Sequence, residues 1–353
     1  MTKDPELSAL YQKIEQNGRL SPAEGLVLLE RASWLELGQL AAERRKARIG
    51  DDWASYTMFR IINYTNICSI DCAFCSFKQK PGDQRAYVLS AEEVVQKAQE
   101  AHEKGADQIF LQGGVNLELG LDYYLGLLSA LKSRFGCHIR GFSPVELRDM
   151  AKAVGLPLPR LVGELKAAGL DSVPGAGAEI LVERVRDLLS PNKCSPEEWA
   201  GILSECHAQG LKGSANIVFG SVETPKEVIE HLDLVRRTQD QTQGFNSFIP
   251  WTFQPQTKDF PVQKVLHHQY LKVLALCRLY LDNIDQLEVS VMVLGPEIGK
   301  LALHMGANDI SSPVLEENVL RSFGVSSEEQ ARKLIEAAGL RPRRRDFSYR
   351  FLE

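Results

Sequence analysis

The sequence predicts an α/β protein built as an eight-stranded parallel barrel of the TIM type. From about residue 57, short apolar runs alternate with amphipathic helical patterns. Several of those helices open with clear start signals, which marks the runs between them as strands. Eight candidate strands can be counted, the number that closes such a barrel.

Residues 1 to about 50 read as helices. In LSPAEGLVLLE, Ser21 stands as an N-cap with Glu24 three residues on, a capping-box pattern. ASWLELGQLAAERRKARIG keeps helical spacing and ends at Gly50 after a basic last turn. Residues 1–54 are therefore expected as a helical lead-in, and 55–310 as the barrel. Candidate strands are 57–63, 108–111, 138–142, 171–173, 213–219, 244–249, 287–293 and 308–310. Helical patterns fall at 90–104, 121–135, 158–168, 178–189, 196–209, 225–239, 262–281 and 295–305. Ser90 is an N-cap, and Ser195 and Thr224 each precede a proline at the first helical position. Residues 311–353 are expected as a C-terminal extension packed on the barrel, with a helix at about 326–338. Its basic end, RPRRRDFSYRFLE, reads as a solvated, packing terminus.

The chain has 353 residues, 44% hydrophobic and 25% charged, an ordinary globular composition. Its net charge of −5 advertises no basic surface for nucleic acid. No apolar run reaches the roughly 18 residues of a membrane span, so no membrane partner is expected. The charged start, MTKDPELSALYQKIEQ, lacks the apolar core of a secretory signal. A cytoplasmic protein is expected.

Cys68, Cys72 and Cys75 lie in IINYTNICSIDCAFCSF at C-x3-C-x2-C spacing, on a loop past the first candidate strand. A structural zinc site wants four ligands, and the next Cys or His downstream is His102. A structural disulfide would leave one thiol over and suits an oxidising compartment. A [4Fe–4S] cluster held by three cysteines leaves one iron open to a small molecule. Zinc and incidental cysteines stand as the alternatives. Cys137, Cys194, Cys206 and Cys277 are scattered singly and read as buried free thiols.

With this spacing, and Phe74 before the last cysteine, the sequence resembles the radical S-adenosylmethionine (SAM) superfamily. The resemblance implies that Cys68, Cys72 and Cys75 bind a [4Fe–4S] cluster whose open iron is chelated by SAM. An electron, from a donor of flavodoxin or ferredoxin type, then splits SAM into methionine and a 5′-deoxyadenosyl radical. Gly113 and Gly114, after the second strand, match a segment whose backbone holds the SAM amino group, although Val115 replaces the usual acidic residue. After the fourth strand, Val173-Pro174-Gly175-Ala176-Gly177-Ala178-Glu179 lacks the P-loop lysine and the Rossmann spacing. Glu179 and Arg186 match shared positions, the carboxylate suiting ribose hydroxyls and the guanidinium the methionine carboxylate. After the sixth strand, Asn246, Ser247, Trp251 and Gln254 suit an aromatic, hydroxyl-bearing substrate.

NYTNICSIDCAFC, FIPWTFQP, GANDI and LEENV at 315–319 most resemble one branch: the futalosine-route enzymes of menaquinone synthesis and their relative in deazaflavin synthesis. Within it they look most like the dehypoxanthine futalosine cyclases. The implied reaction takes hydrogen from ribose C4′ of a nucleoside-derived small molecule and closes a ring on its benzoate. Aminofutalosine synthase, a deazaflavin-synthase-like enzyme and a plain iron–sulfur electron carrier are the alternatives. Ser221, Arg140 and Lys78-Gln79-Lys80-Pro81 depart from the branch pattern.

Overall fold

A computed structural model describes residues 3–254, 260–310 and 327–352. Three helices come first: α1 Pro5–Glu15, α2 Pro22–Arg31 and α3 Trp34–Ile49. Asp4, Ser21 and Ser33 cap them through side-chain oxygens, and Glu24 closes the box on Ser21. Then come β1 Trp53–Tyr56 and β2 Phe59–Ile62, followed by α4 Ala91–Glu103, β3 Gln108–Leu111, α5 Leu121–Arg134 and β4 His138–Gly141. Next are α6 Pro144–Val154, α7 Leu158–Ala167, β5 Val173–Pro174, α8 Glu183–Leu189, α9 Pro196–Ala208 and β6 Gly213–Phe219. The chain continues through α10 Pro225–Thr242, β7 Phe245–Thr252, α11 His267–Tyr280, β8 Gln286–Leu287, α12 Val291–Leu294 and α13 Pro296–Leu303. It ends with α14 Glu328–Ala337 and β9 Arg341–Arg344.

The strands form two parallel arcs, β2-β3-β4 and β5-β6-β7-β8. One bridge, Arg140 to Ser172, joins the arcs on one side. On the other, Asp309 bridges both Glu288 and Ser55 of β1, and backbone bonds of Asn308 and Ile310 help close the barrel there. The expected strand at 308–310 is present in that reduced form. Between strands and helices lies the main core, where Trp199, Leu232, Val235 and Leu274 are fully buried. Each such side chain contributes about 1.5–3 kcal/mol through burial. Among the described residues, no helix is long and apolar enough to cross a membrane.

Four expectations need correction. The run 287–293 is not one strand: only Gln286–Leu287 pairs, and Val291–Leu294 is helical. A short apolar run cannot be told from a buried helix segment by periodicity. Helix α6 fills 144–154, where none was expected, although Ser143 and Glu146 form a capping box. The strand expected to end at 249 runs on to Thr252. Finally, the basic terminus is solvated only in part: Arg341 and Arg350 are exposed, but the segment also packs as an element of the barrel. Its β9 pairs parallel with β1. Alternate residues beyond it reach into the barrel floor: Arg345 holds Asp309 at 2.5 Å, Phe347 stacks on His138 at 4.4 Å, and Tyr349 donates to Glu288 at 2.6 Å. The expected boundary at 311 and the LEENV segment lie outside the described residues.

Candidate active site

The three cysteines occupy the C-terminal mouth of the barrel, on the loop after β2. Several contacts pin that loop. The Cys68 N–H donates to Gln79 O at 3.1 Å, Ser69 to Val115 O at 2.9 Å and Ala73 to Leu189 O at 2.9 Å. The Phe74 ring meets Phe253, just past β7, edge-on at 5.1 Å. All three thiols are free, with Cys72 buried and the other two half-buried. Burial pushes the Cys72 thiol up to about 11, with Lys193 pulling the other way. Among the described residues, no three Cys, His, Asp or Glu side chains converge closely enough for one metal ion.

The paired glycines after β3 are required by space. A Cβ on Gly114 would strike Ile67 O and lie 2.7 Å from Ile67 C and 2.9 Å from Cys68 Cβ. A Cβ on Gly113 would lie 2.6 Å from the Tyr64 ring. Their amides are already bonded, Gly114 to Thr65 O at 2.9 Å and Gly113 to Glu146 Oε1 at 3.1 Å. The acceptors that remain are their carbonyls, which suit an amino group.

Glu179 sits at φ +41, a left-handed backbone strained for a non-glycine residue. Its Oε1 accepts from Lys193 Nζ at 2.8 Å, while Oε2 is buried without a partner. Lys193 lies 5.4 Å over the Phe74 ring, which ties this pair to the cysteine loop. Burial acts to lower the Lys193 pKa, but Glu179 and Cys72 outweigh it and leave it above its usual value. An orphaned carboxylate oxygen beside the cysteines suits a hydroxyl donor such as a ribose. Lys193, invisible in the motif, carries the only clue of a lone cation close after α8.

Arg186, expected to face the SAM carboxylate, makes its contacts within the protein. It is buried, with Nε on Cys194 O at 2.7 Å and Nη1 on Ala178 O at 2.9 Å and Gly177 O at 3.3 Å. Nε and Nη1 brace the backbone around the 174–179 loop, while Nη2 has only the Cys194 sulfur at 3.8 Å. Sequence spacing could not reveal that the loop curls back onto it.

Because β7 runs through 246–252, its residues alternate. Ser247, Ile249 and Trp251 line the lumen. Asn246 does not: it donates to Phe347 O at 3.3 Å at the N-terminal end, far along the strand from the cysteine mouth, which corrects its expectation as a substrate ligand. Ser247 reaches the lumen but gives its hydroxyl to Glu288 at 2.6 Å. Gln254 sits past the strand end and donates to Thr252 Oγ1 at 2.9 Å. Ser221 turns its hydroxyl to Glu223 at 2.7 Å. Phe59, Phe110 and Asn216 complete the walls, and Glu288, Arg345, Phe347 and Tyr349 form the floor. Arg345, Phe347 and Tyr349 were missed because the charged run that carries them has no strand signal.

A family model described as the radical SAM superfamily matches residues 62–235. A second, described as the CofH/MqnC C-terminal region, matches 242–353. The chain is 36% identical to a cyclic dehypoxanthine futalosine synthase of Halalkalibacterium halodurans, covering 98% of this chain and 95% of that one. It is equally similar, at 36%, to the synthase of Streptomyces coelicolor, over 100% and 90%. It is 35% identical to the 5-amino-6-(D-ribitylamino)uracil–L-tyrosine 4-hydroxyphenyl transferase of Methanococcoides burtonii, over 94% and 96%. In fold it is similar to the FeFe-hydrogenase maturase HydG of Carboxydothermus hydrogenoformans, at TM-score 0.78 and 17% identity over 98% and 81% of the two chains. Methylornithine synthase gives 0.67 and 16% over 94% and 97%.

Proposed function

The chain belongs to the radical SAM superfamily, and from that premise we propose that it is the enzyme that cyclises dehypoxanthine futalosine in menaquinone synthesis. One arrangement carries the reading: three free thiols at the C-terminal mouth of a floored lumen lined with aromatic rings. The two synthases at 36% identity support it. Cys68, Cys72 and Cys75 would hold the [4Fe–4S] cluster, and the Gly113 and Gly114 carbonyls with Glu179 would hold SAM. When bound, these groups supply a carbon radical able to take hydrogen from an unactivated C–H bond, which no side chain can do.

The chain's own residues position and protect. Phe59, Phe110, Ile249 and Trp251 surround the substrate and keep water from a reactive carbon centre. The floor sets how deep the substrate sits, and so which of its carbons faces the cysteine mouth. In the substrate, C4′ loses hydrogen and adds to the benzoate ring, which then loses an electron and a proton.

Anaerobic reconstituted protein, given dehypoxanthine futalosine, SAM and dithionite, should form 5′-deoxyadenosine and a product lighter by two hydrogens. Substrate deuterated at C4′ should pass one deuterium to the 5′-deoxyadenosine. SAM cleavage with the substrate left intact would overturn the cyclase reading. A second reading, a 4-hydroxyphenyl transferase, is supported by the 35% identity to the archaeal enzyme. The same incubation with L-tyrosine and 5-amino-6-(D-ribitylamino)uracil separates the two.

A further inference from the structure

Arg140 extends from β4 into the lumen. Its guanidinium lies between two rings, with Cζ 4.8 Å from the centre of Phe110 and 5.6 Å from that of Phe347. Stacking covers the faces of the group and leaves its edge N–H donors. Nη2 donates to Ser214 Oγ. Nε is buried with no partner among the described residues. Among the described residues the guanidinium forms no ion pair, and Nη1 has no acceptor.

The other charges of the lumen are already engaged. Arg345 pairs with Asp309, and Glu288 takes the Ser247 and Tyr349 hydroxyls with Arg345 at 3.8 Å. Burial lowers the Arg140 pKa, with Glu288 opposing from a distance. The guanidinium is half-buried and faces the lumen with no ion-pair partner among the described residues, so an entering anion would gain a charge-assisted bond there. The planar fork matches a carboxylate. A ring attached to that carboxylate would meet Phe59, Phe110 and Ile249.

We propose that Arg140 is a specificity-determining anchor that takes the carboxylate of an aromatic acid and holds it deepest in the barrel. Under the cyclase reading, on which this assignment of the ligand rests, the acid is the benzoate end. The ribose is then left nearer the cysteine mouth.

Calorimetric titration of the cluster-loaded enzyme with 3-acetylbenzoate and with 3-acetylbenzamide tests the anchor without turnover. The parent should bind the acid about 10- to 100-fold more tightly than the amide, the range for a charge-assisted bond. Arg140→Gln should bind the two alike at unchanged iron content. Arg140→Lys should recover part of the preference, since it keeps the charge but not the fork. Acid preference retained in Arg140→Gln overturns the proposal. If that variant does not fold, Arg140→Lys carries the test alone: it should keep only part of the preference, and a full parental preference there overturns the proposal. A parent that prefers the acid yet fails to convert dehypoxanthine futalosine refutes the cyclase and leaves the anchor. Turnover without acid preference does the reverse.

Discussion

Gly114→Ala tests whether the cysteine loop is held by contact with the turn after β3. The new Cβ would lie 2.7 Å from Ile67 C and 2.9 Å from Cys68 Cβ. Carbon atoms rest about 3.5–4.0 Å apart, so one side must retreat by roughly 1 Å. Neither side is loose: Gly114 N–H holds Thr65 O at 2.9 Å, and Ser69 N–H holds Val115 O at 2.9 Å. Overpacking of this kind costs about 1–3 kcal/mol, within the roughly 5–15 kcal/mol of a folded domain. The variant should therefore fold and melt only a few degrees lower. Its Cys68 would stand roughly 1 Å out of place, a misplacement worth about 100-fold in rate. Iron per chain and dithionite-driven SAM cleavage should both collapse. Gly126→Ala is the control: inside α5, nothing lies within 4 Å of the added carbon. It should gain about 0.5–1 kcal/mol and keep its iron. Parental iron and SAM cleavage in Gly114→Ala would refute the packing account.

Cys72→Ala should abolish SAM cleavage, since two thiolates cannot hold a cubane with a defined open iron, whereas Cys206→Ala should leave the absorbance near 400 nm intact. Arg186→Ala should act on stability, because three carbonyls, two of them buried, lose their donor. A thermal melt lowered in the absence of SAM supports this, while an unchanged melt with weakened SAM binding would return Arg186 to the cofactor. Burial lowers His207 to about 4 and His231 to about 3, against an unfolded value of about 6.5. Below pH 6.5 the unfolded chain binds more protons, so stability should fall as pH drops toward 4, by up to roughly 1.4 kcal/mol per unit for each ring. A melting temperature flat from pH 7 to pH 5 would mean that water reaches these rings.

What could be read from sequence was local. The capping box at Ser21 and the N-caps at Ser90, Ser195 and Thr224 were legible because their signals lie within a few residues, and all four caps are present. The cysteine triad was legible for the same reason. Features that depend on distant chain were not. Arg341–Arg344 carries a proline and three charges and pairs only because β1 offers an edge. Arg186 and Asn246 have plausible chemistry, but only the fold shows the first spent on carbonyls and the second facing away from the cysteines. Glu288 and Tyr349 meet across 61 positions, a contact no motif encodes.

The pairing of β1 with β9 also imposes an order on synthesis. Asp52 and Arg341 meet across 289 positions. At roughly 5–20 residues per second, β1 waits about 15–60 s for its partner. Through that interval the nascent barrel has an open edge at Trp53–Tyr56 and no floor, and Glu288 and Asp309, made late in it, still wait for Arg345. Contacts this distant in sequence slow closure and prolong the exposed state. Any cluster inserted early would enter a barrel still open at its far end.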